Sequence, residues 1–142
     1  MGPKAECDAG ASPKLQPGPA DSAVRALPVW EPPADVLVVD ETVVVRLELA
    51  GTAAEAIHVH AAATEVIVAG IRRDPMGVAP RRIDRMEIAF GPFERTVPLP
   101  CSVDPDRARA HLADGLLEIA LPLAGASYSQ TLVFFEIRVS WG

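Results

Sequence analysis

The sequence predicts an all-β fold, one antiparallel β-sandwich, and three observations carry that expectation. Several short segments alternate apolar and polar residues at a period of two, Asp114-Gly115 stands between two of them as a strong hairpin signal, and no segment keeps a helical period. Composition agrees. Hydrophobic residues make up 49% of the 142 but aromatics only 5%, so branched aliphatic side chains must build the core, and these favour strands. The length suits one domain with tails.

Residues 1–29 are rich in Pro, Gly, Ala and Ser, with too few large apolar side chains to offset the entropy of ordering, and read as a disordered N-terminal arm. The composition changes at Trp30. Residues 35–41 read as a short strand ending in an acidic turn at Asp40-Glu41. Residues 42–49 are β-branched and then alternate, with Val45, Leu47 and Leu49 on a core face and Arg46 and Glu48 on a wet one. Ala50-Gly51 closes that strand, residues 53–55 suit a single helical turn, and Ile57-His58-Val59-His60 resumes the period of two. Residues 65–70 form the next strand, which Gly70 is expected to stop.

A long connection follows, residues 71–92, with Pro75, Pro80 and Pro92 and the basic residues Arg81, Arg82 and Arg85. A connection of this length carries a function or an element of its own, here a strand over residues 82–89 that pairs elsewhere. Residues 93–100 alternate again, and Pro98 and Pro100 assign them to a sheet edge. Asp104-Pro105-Asp106 makes a turn, and residues 107–112 and 116–121 flank the Asp114-Gly115 hairpin.

Several classes of function are disfavoured. A net charge of −6 gives no electrostatic reason to bind nucleic acid or an anionic membrane. No run approaches the roughly 20 apolar residues of a membrane span and the first residues lack an apolar signal region, so a cytoplasmic protein is expected. Cys7 and Cys101 lie far apart without a paired spacing and read as two free thiols rather than a disulfide framework or a zinc site. His58 and His60 share a strand face, where exposed histidines are a simpler reading than metal ligands. No nucleophile elbow, glycine-rich phosphate loop or HExxH motif occurs, so neither an enzyme nor a bound cofactor is expected.

Three groups of residues, in this order and spacing, resemble the alpha-crystallin domain of the small heat-shock proteins over residues 30–123. Leu49-Ala50-Gly51 with Ile57, Val59 and residues 66–70 is similar to the family's Leu-Pro-Gly turn and its two following strands, with Ala50 in place of Pro. Glu87 to Arg95, followed by Leu99-Pro100, resembles its Glu, aromatic-Gly, Phe-x-Arg and Leu-Pro series, with Ile88 where an Arg is frequent. Residues 110–122, from Ala110 through Asp114-Gly115 to Leu121-Pro122, resemble the signature hairpin, with Leu116 in place of Val.

The resemblance implies an immunoglobulin-like antiparallel β-sandwich that works as an ATP-independent holdase chaperone without a cofactor. It implies a homodimer in which the strand of the long connection crosses to the partner's sheet edge, with Arg82, Ile83, Arg85, Glu87 and Arg95 at the interface. It also implies a C-terminal extension, residues 124–142, whose Ile137-Arg138-Val139 fits the family's Ile-x-Ile/Val docking motif. Side chains at i and i+2 of an extended segment point the same way and fill two pockets while the backbone pairs with a sheet edge. The receiving groove, which would also meet clients, is expected at Ile57, Val59, Ala110 and Leu112. The expected partners are therefore further copies of the chain and unfolding proteins, not nucleic acid or membrane.

The tail is more apolar than the family's. Val133, Phe135, Ile137, Val139 and Trp141 share one face at period two, so an ordinary strand packed on its own domain is an equal expectation. A p23-like sandwich acting as a co-chaperone or adaptor is the alternative function. The long connection and the Ile-x-Val tail favour the holdase. A ligand-binding sandwich would be expected to display more aromatics than two Trp, one Tyr and four Phe.

Overall fold

The computed structural model describes residues 29–125 and 133–142. The predicted arm, apart from Val29, lies outside the described residues. The described chain forms nine strands: β1 (Ala34–Val39), β2 (Thr42–Glu48), β3 (Ile57–Ala61), β4 (Glu65–Arg72), β5 (Gly91–Pro98), β6 (Arg109–Ala113), β7 (Leu116–Pro122), β8 (Phe135–Ile137) and β9 (Val139–Trp141). Two 3-10 turns, Ala54–Ala56 and Pro105–Arg107, are the only helical elements among the described residues.

The strands make two sheets, one of five strands in the order β1-β2-β7-β6-β9 and one of four in the order β5-β4-β3-β8. All pairings are antiparallel except that of β6 with β9. The period-two pattern explains the layers. Val43, Val45, Leu47 and Leu49 from β2 and its end, with Leu117, Ile119 and Leu121 from β7, are fully buried. They face Val59 and Ala61 of β3, Val66 and Val68 of β4, and Phe93 and Val97 of β5 in one continuous cluster. Burying each such side chain contributes about 1.5–3 kcal/mol, so this cluster is the main source of stability.

Turn chemistry matches the sequence. Asp114 (φ 52°) and Gly115 (φ 78°) are both left-handed, the requirement of the two-residue turn that continues the strand twist. The acidic turn uses Asp40 at φ 52°, a conformation Asp tolerates better than most residues. Asp104 accepts a hydrogen bond from the Asp106 N–H and caps the second 3-10 turn.

Two local expectations are corrected, at Gly70 and Cys101, and a third, the strand over residues 82–89, depends on a second copy. Gly70 does not stop its strand, since β4 runs on to Arg72. A Cβ at position 70 would collide with the Ala56 carbonyl oxygen and stand 2.7 Å from Phe93 Cζ, so glycine is there for close approach, not termination. Residues 73–90 contain no strand in the single chain. A strand over residues 82–89 was expected to pair with the sheet edge of another copy, and a strand needs a ladder partner. Cys101 is 7% exposed and disulfide-bonded, with its partner outside the described residues, so it is not a free thiol.

Candidate functional site

Two sheet edges on one side of the sandwich are closed by the same short segment of chain. β8 adds to the edge of β3, with Ile137 opposite Val59 and Phe135 opposite Ala61. Arg138 turns the chain, and β9 then adds to the edge of β6, with Val139 opposite Ala110 and Trp141 opposite Leu112. Ile137 is 9% and Val139 6% exposed, and both join the core cluster between the sheets.

The pattern Ile-x-Val explains this seat. Two inward side chains flank one outward residue, so one reaches each sheet while Arg138 points to solvent. Ser140 reinforces the second half: its hydroxyl donates to the Ala110 carbonyl at 3.1 Å and lies 2.9 Å from His111 Nδ1. Ile57, Val59, Ala110 and Leu112, the residues expected to form a groove, thus converge around Ile137 and Val139. The occupant is the chain's own tail. Open clefts of about 560 and 430 Å³ run along the two sides of the seated segment, so the tail lies in a trough rather than a sealed core.

Among the described residues the opposite border of the five-stranded sheet is open. There β1 pairs only with β2, and Val36, Leu37, Val38 and Val39 are 38–53% exposed. The long connection also carries exposed apolar residues, Met76, Val78, Ile83, Met86 and Ile88, each 58–75% exposed. Of the residues expected at a dimer interface, Arg82, Ile83, Arg85 and Glu87 all lie exposed on this loop. Arg82 pairs with Asp84 at 2.9 Å, both side chains over 80% exposed, a contact of little energetic weight. Arg95 stands apart from them on β5, opposite Val68; it is half-buried and makes no ion pair among the described residues.

Arg72, which carries no motif in the sequence, is the buried cation among the described residues. Its side chain is 9% exposed. Nε and Nη2 donate to the Ala89 carbonyl at 2.8 and 2.6 Å, and Nη1 donates to the Ala50 carbonyl at 3.2 Å. Glu48 lies 3.7 Å from Nη1. The guanidinium covers the Trp30 ring at 4.3 Å and faces Phe90 at 5.6 Å. Trp30 in turn packs on Phe93 at 5.4 Å between centroids and donates from Nε1 to the Gly91 carbonyl. Only the apolar residue Ile71 between glycine and an Arg-Arg pair marked this position in the sequence, and that context reads as solvent-exposed loop.

No cluster of three or more metal-ligating side chains occurs among the described residues, and no helix there is long and apolar enough to cross a membrane.

Comparison with known proteins agrees with this geometry. The family model of the Hsp20/alpha crystallin family matches residues 35–131. Heat shock protein 16 of Schizosaccharomyces pombe is 33% identical over 95 residues, covering 64% of this chain and 65% of that protein. Heat shock protein 42 of Saccharomyces cerevisiae is 30% identical over 97 residues, 66% of this chain but 26% of its own length. The match therefore spans between about a quarter and two thirds of these curated relatives. Among solved structures, heat shock protein 16.0 from S. pombe superposes with a TM-score of 0.60 at 29% identity, covering 73% of this chain and 96% of that one.

Proposed function

The chain belongs to the Hsp20/alpha crystallin family, and on that premise we propose that it acts as an ATP-independent holdase, binding unfolding proteins in the cytosol and preventing their aggregation. One observation carries the proposal. The apolar seat across the β3 and β6 edges is covered by a short tail segment, held by three ladder residues on each sheet and by the two side chains, Ile137 and Val139, that it contributes to the core cluster.

A holdase needs apolar surface that is covered at rest and available under stress. Burying Ile137 and Val139 contributes about 1.5–3 kcal/mol each, enough to keep the tail seated and little enough for heat or a competitor to release it. Released, the trough presents two open edges and a row of aliphatic pockets to an extended client segment. In an oligomer the same seat takes the tail of a neighbouring copy, and assembly competes with self-docking. The division of labour we infer is an arm over residues 1–29, a sandwich over 30–123 and an extension over 124–142. The working unit is a dimer in which residues 82–89 of one copy add to the open β1 edge of the other, covering the exposed apolar residues of both.

The test is light scattering from a thermally aggregating model protein, with and without this chain and without nucleotide, alongside its mass by size-exclusion with multi-angle scattering. Suppressed scattering by a dimer or larger species is the expected result. A monomer that leaves aggregation unchanged overturns the holdase and favours an adaptor module. Replacing both Ile137 and Val139 with Ala is expected to shrink the assembly; an unaltered mass removes the tail from that role.

A further inference from the structure

We propose that Arg72 is a positioning residue for subunit pairing, one guanidinium that fixes the base of the 73–90 loop against the entry to β1. The inference rests on the reading that this loop pairs with the β1 edge of a second copy.

A buried cation is costly unless fully partnered, and Arg72 is partnered on every side. The partners come from separate parts of the chain: Ala89 at the end of the loop, Ala50 and Glu48 at the end of β2, and Trp30 before β1. The sandwich itself does not require this arrangement. The β4–β5 ladder already closes the hairpin at Arg72 opposite Gly91. The two bonds to the Ala89 carbonyl act two residues beyond the last ladder pair, on a residue that belongs only to the loop.

The other end of the clamp is equally specific. Trp30 is fixed by backbone bonds from its N–H to the Pro92 carbonyl and from the Glu94 N–H to its own carbonyl. From there Glu31-Pro32-Pro33 leads into β1, and the Glu48 N–H donates to the Pro33 carbonyl. The prolines leave this lead-in little freedom. One planar side chain therefore holds both halves of the pairing, the loop that is donated and the approach to the strand that accepts. In a two-fold dimer each contact occurs twice, so an error in the angle between loop and β1 is also made twice. Lysine cannot substitute: it has no flat face to lay on Trp30 while also forking onto one carbonyl and reaching a second.

The experiment compares full-length wild type with Arg72→Lys by sedimentation at a temperature well below unfolding, with circular dichroism to verify the folded sandwich. The dimer dissociation constant of the variant is expected to rise by about tenfold or more, the scale of losing one hydrogen bond to a charged group. A merely structural arginine lowers the thermal midpoint and leaves the dimer constant of the folded protein unmoved. Folded Arg72→Lys with the wild-type constant overturns the proposal. Should that variant not fold, Trp30→Leu removes the stacked ring from the other end of the clamp; weaker dimers support the proposal and unchanged dimers overturn it. The two levels separate cleanly: a wild type that never dimerises defeats the underlying reading as well, whereas a dimeric wild type matched by folded Arg72→Lys defeats only the role of Arg72.

Discussion

At position 70 a single hydrogen's worth of space decides the residue. The backbone of β4 passes so close to the 3-10 turn at Ala54–Ala56 that a methyl group there meets the Ala56 carbonyl, with Phe93 Cζ 2.7 Å away on the other side. Neither obstacle is the free end of a flexible side chain: one is backbone, and Phe93 is 2% exposed in the core. Gly70→Ala is therefore expected to destabilise the fold by roughly 3 kcal/mol, the upper range for overpacking, measured as a lowered midpoint in urea unfolding. A midpoint equal to wild type contradicts the close approach. The same position shows what a sequence conceals. A glycine before Ile71 and two arginines reads as a strand end, because stop signals and close approaches use the same residue. Arg72 was hidden for a related reason: burial of a charge depends on which distant groups converge on it, and Trp30, Ala50 and Ala89 are brought to it only by the fold.

At the scale of elements, the strands were legible because half-buried strands must alternate, and the 42–49, 57–60 and 116–121 segments do so plainly. The tail was legible in part. Its alternation marks a strand, and in the structure Ile137 pairs opposite Val59 and Val139 opposite Ala110; that this pairing is the family's docking seat is the proposal made above. Which copy's groove they occupy was not legible, since self-docking depends on a tether returning the tail to its own edges and no local pattern encodes that. The seat itself makes a distinct prediction. If β8 and β9 are what close the edges of β3 and β6, then Val139→Asp, which forces a charge into the trough, unseats the tail. Amide hydrogen exchange in β3 and β6 is then expected to quicken by about tenfold or more on the edges facing the tail, a loss of some 1.4 kcal/mol of local protection. β4 and β7, paired on both sides without the tail, keep their protection. Uniform acceleration across all strands marks global destabilisation and rejects the edge-closing role.

For the whole molecule the question is what covers its remaining apolar surface. Besides Val133, Phe134 and Trp141 of the tail, the described residues expose two such features, the β1 edge from Val36 to Val39 and the loop with Met76, Val78, Ile83, Met86 and Ile88. Exposed apolar groups in that number mark an interaction surface, and an open edge strand invites a ladder from another chain. Two copies related by a two-fold axis satisfy both needs at once, each loop lying on the other's edge. Proline tests this without disturbing the isolated chain. Ile83 is 58% exposed in a segment without strand structure, so Ile83→Pro breaks no strand ladder of the single chain, but it deletes a donor and fixes φ in the stretch proposed to become a strand on pairing. The expected outcome is an unchanged thermal midpoint in dilute solution together with a clear loss of dimer in sedimentation. Val78→Pro, in the same loop but outside residues 82–89, is expected to retain the dimer. If Ile83→Pro dimerises like wild type, the copies meet through some other surface; if both prolines abolish pairing, the loop is needed as a whole and not through a strand at 82–89.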